Sequence, residues 1–260
     1  MDNIIGYLGE NLATGFMGRN LRYLAVASST QDVAKEMAER GAPEGTAVIA
    51  GMQESGRGRL GRSWLSPEGG LATSIILRPD VSALPLLPAI CALAVFRTIK
   101  ALGIRADIKW PNDILIGGRK VCGILIEHGL KDGAVRYSIV GIGININFDT
   151  SLYPEIAGSA TSLSVELGHE LAVERVALSL YTELEKLYLQ CHKPDIILTE
   201  WTANMVTIGK RVKVKSGNNE IEGVAEAVNS SGHLLLRTDD GSVQEMLAGD
   251  VSLIAADNNK

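Results

Sequence analysis

The sequence predicts an α+β fold, a mixed central β-sheet flanked by helices and followed by a small all-β barrel. Three observations lead there. Strand-like apolar runs alternate with helical stretches over the first part of the chain. A β-rich run broken by tight glycine turns occupies residues 105–147. After Met205 only short strands follow, divided by Gly-, Asn- and Asp-rich turns. The expected division is therefore 1–205 and 206–260, with a second core so small that it must lean on the first.

The elements follow in order. "LRYLAVAS" (21–28) reads as a strand, and "STQDVAKEMAER" as a Ser/Thr-capped helix with Val33, Ala34, Met37 and Ala38 at helical spacing. "TAVIAGMQ" (46–53) is a buried strand. Residues 54–70 are rich in Gly, Arg, Ser and Pro, and a structureless stretch of that length inside a domain is usually functional. "LATSIIL" resumes as a strand, and "LPLLPAICALAVFRTIKALG" as a buried helix with proline in its opening turn. "RADIKW", "DILI", a Gly117-Gly118 turn, "KVCGILIEHGL", a Lys131-Asp132-Gly133 turn and "AVRYSIVGIGININ" form the β-rich run. "VERVALSLYTELEKLYLQ" and "PDIILTEWTANM" are helical, and "TIGKRVKVKS", "EIEGVAEAVN", "HLLLRTDD" and "SVQEMLAGDVSLI" supply the barrel. No role is assigned to residues 1–20.

A chain 46% hydrophobic and 21% charged, without low-complexity tracts, folds. Its net charge of −5 leaves no overall footprint for nucleic acid, so any basic site is local. Cys91, Cys122 and Cys191 show neither metal-ligand spacing nor a disulfide framework, as in a reducing cytosol. The N-terminal stretch lacks a basic region followed by an apolar core, so no signal peptide is expected. The longest uncharged apolar run, Val81 to Phe96, is interrupted by Pro85 and Pro88 and is shorter than a bilayer span. The expectation is a soluble cytoplasmic protein with no membrane partner.

"GRGRLGR" (56–62) has the G-x-G-x-x-G spacing of a dinucleotide turn. That turn must open a helix whose N-terminus holds the pyrophosphate. Here Pro67, Gly69 and Gly70 follow, and no packed helix can form. No Lys-Ser/Thr follows either, so this is not a phosphate loop of the Walker type. Arg-Gly runs that bind RNA are longer, repeated and set in basic chains. What remains is a flexible loop with guanidinium groups at Arg57, Arg59 and Arg62, suited to closing over an anion. A mobile surface loop is the plain alternative.

"KWPND" (109–113) offers Lys109, Asn112 and Asp113 at a strand end, where Pro111 stops ladder pairing, although a polar turn accounts for it equally. Lys120 opens an apolar strand and could simply be a snorkelling edge charge. In "VGIGININ", Val140, Ile142, Ile144 and Ile146 face one way, and Gly141, Gly143, Asn145 and Asn147 the other. Two glycines and two amides on one face make a flat hydrogen-bonding platform, or a bulged strand. "SSTQD" (28–32) reads first as a helix cap, with hydroxyls that would also suit a carboxylate or small polar ring.

Taken jointly and in order, "SSTQ", "QESGRGRLGRSW", "KWPND", "GRKVCGILIE" and "GIGIN", ahead of a small β domain, resemble the biotin protein ligases from about Leu21 onward. The resemblance implies a class II synthetase-like catalytic fold, a Src-homology-3-like barrel and two-step chemistry. Biotin and ATP with Mg²⁺ would give biotinyl-5′-AMP and pyrophosphate, and the acyl group would pass to one lysine of a biotin carboxyl carrier protein, as in acetyl-CoA carboxylase. No tightly bound prosthetic group is implied. By the same resemblance Ser29, Thr30, Gln31 and Gln53 hold the biotin ring system. Arg57, Gly58 and Arg59 belong to the loop that orders over biotin and the adenylate, and Lys120 contacts the carboxylate. Lys109, Asn112 and Asp113 form the nucleotide and metal end, with Asp113 toward Mg²⁺, and Asn145 lies on the ATP side. Trp64 stands near both ligands, and Gly123 and Gly141 allow biotin and nucleotide, respectively, to approach. The catalytic cations would be Arg57, Arg59, Lys109 and Lys120. A homodimer is implied. Only about 20 residues precede the first catalytic strand, too few for a helix-turn-helix domain, so a ligase-only form without specific DNA binding is expected. Lipoate or octanoate transfer on the same fold, and a non-catalytic biotin sensor, stand as alternatives.

Overall fold

The computed structural model describes residues 4–216, 219–247 and 249–254. Residues 1–3 of the expected first domain, and 217, 218, 248 and 255–260 of the second, lie outside the described residues. The first part of the chain runs α1 (Ile4–Asn11), β1 (Leu21–Ala27), α2 (Thr30–Glu39), β2 (Ala47–Gln53), β3 (Leu71–Leu77) and α3 (Leu87–Ala101). It continues through β4 (Asp107–Lys109), β5 (Asp113–Ile116), β6 (Arg119–Lys131), β7 (Ala134–Ile144), α4 (Leu163–Leu167), α5 (Val173–Tyr188) and α6 (Pro194–Ala203).

One seven-stranded sheet results, in the order β1-β2-β3-β7-β6-β5-β4. β1 and β2 pair in parallel across the α2 crossover, and every other pair is antiparallel, which makes the sheet mixed. Both expected glycine turns are present. Gly117 and Gly118 have φ of 56° and 79°, and Asp132 and Gly133 have φ of 53° and 76°, the paired positive values of a tight hairpin.

Helices cover both faces. On one, Ala34 and Ala38 of α2 pack against Val48, Ile76, Tyr137 and Ile139. On the other, α3 lies between the sheet, α5 and α6. Val81–Ala101, which includes a short 3-10 stretch, is longer than the apolar run read from the sequence and by length and composition could cross a bilayer. Its side chains are instead consumed by the core, from Leu87 through Ile99. α5 turns Val176, Ala177, Leu180, Tyr181, Leu184 and Leu187 to the same core, the stripe its periodicity implies.

After Thr207 come β8 (Arg211–Ser216), β9 (Asn219–Val228), β10 (Leu234–Arg237), β11 (Val243–Met246) and β12 (Asp250–Leu253). They form an antiparallel sheet in the order β11-β10-β9-β8-β12, in which "SVQEMLAGDVSLI" divides into two strands. The small all-β unit that the sequence predicts is thus present, with no strand pairing between β11 and β12 among the described residues. Its buried Val212, Val214, Ala225, Leu234, Leu236 and Val251 are continuous with the main core, so the small sheet does lean on the larger one. Trp110, fully buried, donates its indole N–H to Gly232 O at 3.1 Å across that junction.

Candidate active site

The floor of the site is a relay of hydrogen bonds. Thr30 donates its backbone N–H to Gln53 Oε1 (2.8 Å), and its hydroxyl meets Ser74 Oγ (2.8 Å). Ser74 donates to Gln31 Oε1 (3.0 Å), and Gln31 Nε2 donates to Ile139 O (3.1 Å). Thr30, Gln31 and Ser74 are buried, so these bonds hold their side chains in one arrangement. Ser29 differs. Its backbone takes the extended conformation of an N-cap (φ −152°, ψ 130°), yet its hydroxyl accepts nothing from the helix. Buried to 1% exposure, Ser29 Oγ has no hydrogen-bond partner among the described residues. The helix-cap reading of "SSTQD" is thus corrected for the Ser29 side chain, and the residue borders the cavity described below.

The arginine loop doubles back on itself. Gln53 bridges to Ser66 and Arg57 to Ser63. Gly56 is required there, because a Cβ would stand 2.3 Å from Trp64 O. Leu60 (φ 55°) and Gly61 (φ 73°) reverse the chain at its tip. The three arginines take different partners. Arg57 is spent on carboxylates, bidentate to Glu127 (3.0 and 2.8 Å) and 2.8 Å from Asp32. Arg57 still borders the smaller of the two cavities described below, so its expected place at the site and its ion pairs coexist. Arg62 pairs with Asp250 of the small sheet. Arg59 donates to Asn112 Oδ1 (2.8 Å) and Gly249 O (3.4 Å). Burial pulls its pKa down while Asp250 and Asp113 hold it up.

"KWPND" crosses from β4 to β5 over the fully buried Trp110. Asn112 is fixed by donating to Ile124 O (2.7 Å), and Asp113 Oδ1 stands 2.7 Å from Lys120 Nζ. Lys120 also lies over the Trp64 ring, 5.4 Å from its centroid. These side chains border two adjoining cavities of about 110 and 480 Å³. The smaller brings together Ser29, Thr30, Gln31, Gln53, Arg57, Gly58 and Arg59. Trp64, Asn112, Asp113, Lys120, Gly123 and Gly141 complete its predicted lining. Lys109 and Asn145 line only the larger cavity, which shares Trp64, Asp113 and Lys120.

The alternation in "VGIGININ" holds for the isoleucines, all buried, but β7 ends at Ile144. The amides are pegs for loops, where a flat platform was expected. Asn145 Nδ2 donates to Thr161 O (2.9 Å), and Asn147 clamps Leu171 through both amide atoms (2.7 and 2.9 Å). The glycines admit protein groups. A Cβ on Gly141 would meet Gln31 Oε1 at 2.6 Å, one on Gly143 the Trp64 indole at 2.4 Å, and one on Gly123 Trp64 at 2.9 Å. Among the described residues no three His, Cys, Asp or Glu side chains converge as a metal site, and Asp113 is paired with Lys120.

The sequence reading missed Ser74 and Asp250, both at the smaller cavity. Ser74 carried a signal, a hydroxyl residue inside the otherwise apolar "LATSIIL". Asp250 carried none, since it reaches Arg62 across 188 residues.

Residues 23–145 match the Biotin/lipoate A/B protein ligase family, and residues 207–254 match the Biotin protein ligase C terminal domain. The bifunctional ligase/repressor BirA of Bacillus subtilis is 40% identical over 249 residues, covering 93% of this chain and 76% of that protein. The biotin--[acetyl-CoA-carboxylase] ligase of Paracoccus denitrificans is 34% identical over 202 residues, covering 73% of this chain and 83% of its own. The solved biotin protein ligase of Aquifex aeolicus in complex with biotin and ATP superposes with a TM-score of 0.77 at 31% identity, over 92% of this chain and 100% of that one. The chain belongs to the biotin protein ligase family.

Proposed function

We propose that this chain joins biotin to ATP as biotinyl-5′-AMP and then transfers biotin to a lysine of a biotin carboxyl carrier protein, such as the carrier domain of acetyl-CoA carboxylase. The observation that carries the reading is a buried polar floor, with the unpartnered Ser29 hydroxyl, bordering the same cavity as Arg59 and Lys120. A ureido ring offers N–H and C=O groups to such a floor, and a valerate carboxylate would extend toward the cations. Ser29, Thr30, Gln31 and Gln53 hold the ring. Arg59 and Lys120 face the carboxylate and α-phosphate, while Lys109 and Asn145, in the larger cavity, take the nucleotide side with Trp64.

The first step brings two anions together, so it needs positive charge and alignment more than an acid–base pair. A carboxylate oxygen attacks the α-phosphorus, and pyrophosphate departs. Lys120 and Arg59 offset the charge that builds there, and the arginine loop keeps water from the mixed anhydride. In the second step a neutral lysine amine attacks the acyl carbon and AMP leaves. Mg²⁺ would arrive on the triphosphate, needing few protein oxygens. Asp113 could supply one on leaving Lys120, and the ion would neutralise phosphate charge. Arg57 serves as the foot of the loop rather than as a clamp.

We further propose a cytoplasmic homodimer. The free Cys91, Cys122 and Cys191 suit a reducing compartment, and β1 is an edge strand of the sheet. Biotin-dependent ATP–pyrophosphate exchange tests the main reading; exchange with lipoate but not biotin would sink it.

A further inference from the structure

Lys120 does not sit on a regular ladder. Between Ile114 and Leu115 the β5–β6 register shifts, so that Cys122 opposes Ile114 and Lys120 opposes Leu115. A bulge re-aims the side chains beside it and leaves the backbone short of partners. The missing support comes from a segment distant in sequence. Lys120 N–H donates to Ser159 O (2.9 Å), and Thr161 N–H donates to Lys120 O (2.9 Å), a short parallel bridge on the far side of the strand.

That bridge is itself tied down from α4. Leu163 N–H donates to Asn145 O, and Asn145 Nδ2 donates to Thr161 O. Glu166 of α4, its side chain 20% exposed, then reaches back to both ends of the bridge. Its Oε1 accepts from the hydroxyl of the fully buried Thr161 (2.5 Å) and from Arg119 Nη2 (2.7 Å), the residue preceding Lys120. One carboxylate oxygen thus holds the two segments, the start of β6 and the loop at Thr161, that fix the Lys120 backbone. A charge-assisted pair of this kind, partly shielded from water, is stronger than a surface ion pair.

We propose that Glu166 is a positioning residue for Lys120, acting through Thr161 and Arg119. The proposal rests on Lys120 serving the adenylation step. Glu166 touches neither cavity, so its loss changes where the ammonium stands without removing a ligand contact.

The test uses the full chain in biotin-dependent pyrophosphate exchange, with kcat and both KM values measured beside Tm. Glu166→Ala is expected to lower kcat about tenfold, since misplacement by a fraction of an ångström is costly to an aligned reaction. KM for biotin should move less than about threefold. Glu166→Gln keeps a carbonyl acceptor at the same reach and should recover most of the turnover. Amide hydrogen exchange at Lys120 and Thr161 should quicken in Glu166→Ala. If that variant unfolds, the outer link alone is cut with Arg119→Met, which should lower kcat by a smaller factor at unchanged Tm. Lys120→Ala is run beside them. Should it leave exchange intact, the role given to Lys120 fails and the proposal with it. Should it abolish exchange while Glu166→Ala, or Arg119→Met in its place, turns over normally, the positioning role alone is overturned.

Discussion

Ser29→Ala separates binding from stability by moving them in opposite directions. The hydroxyl is buried and unpartnered in the protein, and a buried hydroxyl without a bond costs about 1–3 kcal/mol. Removing it also loses no helix cap, because the side chain makes none. Alanine adopts the same extended backbone without strain. Unfolding free energy should therefore hold or rise, and for a domain of this size each kcal/mol moves Tm by about 2–4 °C. If the hydroxyl meets a ureido group of biotin, its loss removes a hydrogen bond worth about 0.5–1.5 kcal/mol, a weakening of about two- to tenfold. Titration calorimetry with biotin and thermal denaturation of the same preparations give both quantities. A variant that loses several degrees of Tm but binds biotin as tightly as before would refute the reasoning, since Ser29 would then be a structural hydroxyl.

Other outcomes follow from neighbouring contacts. Gly143→Ala should push the Trp64 indole off the sheet, because the new Cβ stands 2.4 Å from it and the Trp64 backbone N–H is tied to Gly56 O at 2.8 Å. Overpacking of this kind costs about 1–3 kcal/mol, and Trp64 emission should shift together with a raised KM for ATP; an unchanged spectrum would oppose it. Arg59→Ala should release biotinyl-AMP faster with Tm nearly constant, measured as intermediate retained on gel filtration. Burial raises the Glu185 carboxyl, but N–H donors from Met17, Phe16 and Gly15 outweigh it, and its pKa lies below the ordinary 4.5. A depressed carboxylate contributes stability above its unfolded pKa, lost as pH falls through the folded value. Urea midpoints should decline below about pH 4.5, and Glu185→Gln should flatten that limb.

Most strand positions were legible because turn chemistry is local. The Gly117-Gly118 and Asp132-Gly133 pairs fix hairpins whatever surrounds them. Helix α4 was not legible, because five residues carry too little periodicity to read. The site was legible as a set of residues, since "SSTQ", "GRGR" and "KWPND" meet at one cavity. Their individual duties were not. Arg57 and Arg59 look alike in the sequence, and what divides them is Glu127, 70 residues from Arg57, and Gly249, 190 residues from Arg59. A residue's partner across the fold decides whether its charge is free to act, and no local pattern carries that.

If the arginine loop closes over the ligands as proposed, its double-back changes what that closing costs. Residues 54–70 read as one long flap, yet the Gln53–Ser66 and Arg57–Ser63 bridges, with Arg57 held by Asp32 and Glu127, fix its stem. Only the tip, residues 58–62, lies beyond those bridges, and the contacts of Arg59 with Asn112 and Arg62 with Asp250 fasten it in turn. Ordering backbone costs about 1–2 kcal/mol per residue. A free flap of that length would consume roughly 20 kcal/mol or more of ligand binding energy, beyond what a small acid and a nucleotide can return. Confined to the tip, ordering on ligand binding would ask for no more than about 5–10 kcal/mol. Entropy lost beforehand, in folding the stem, is entropy the adenylate does not have to supply.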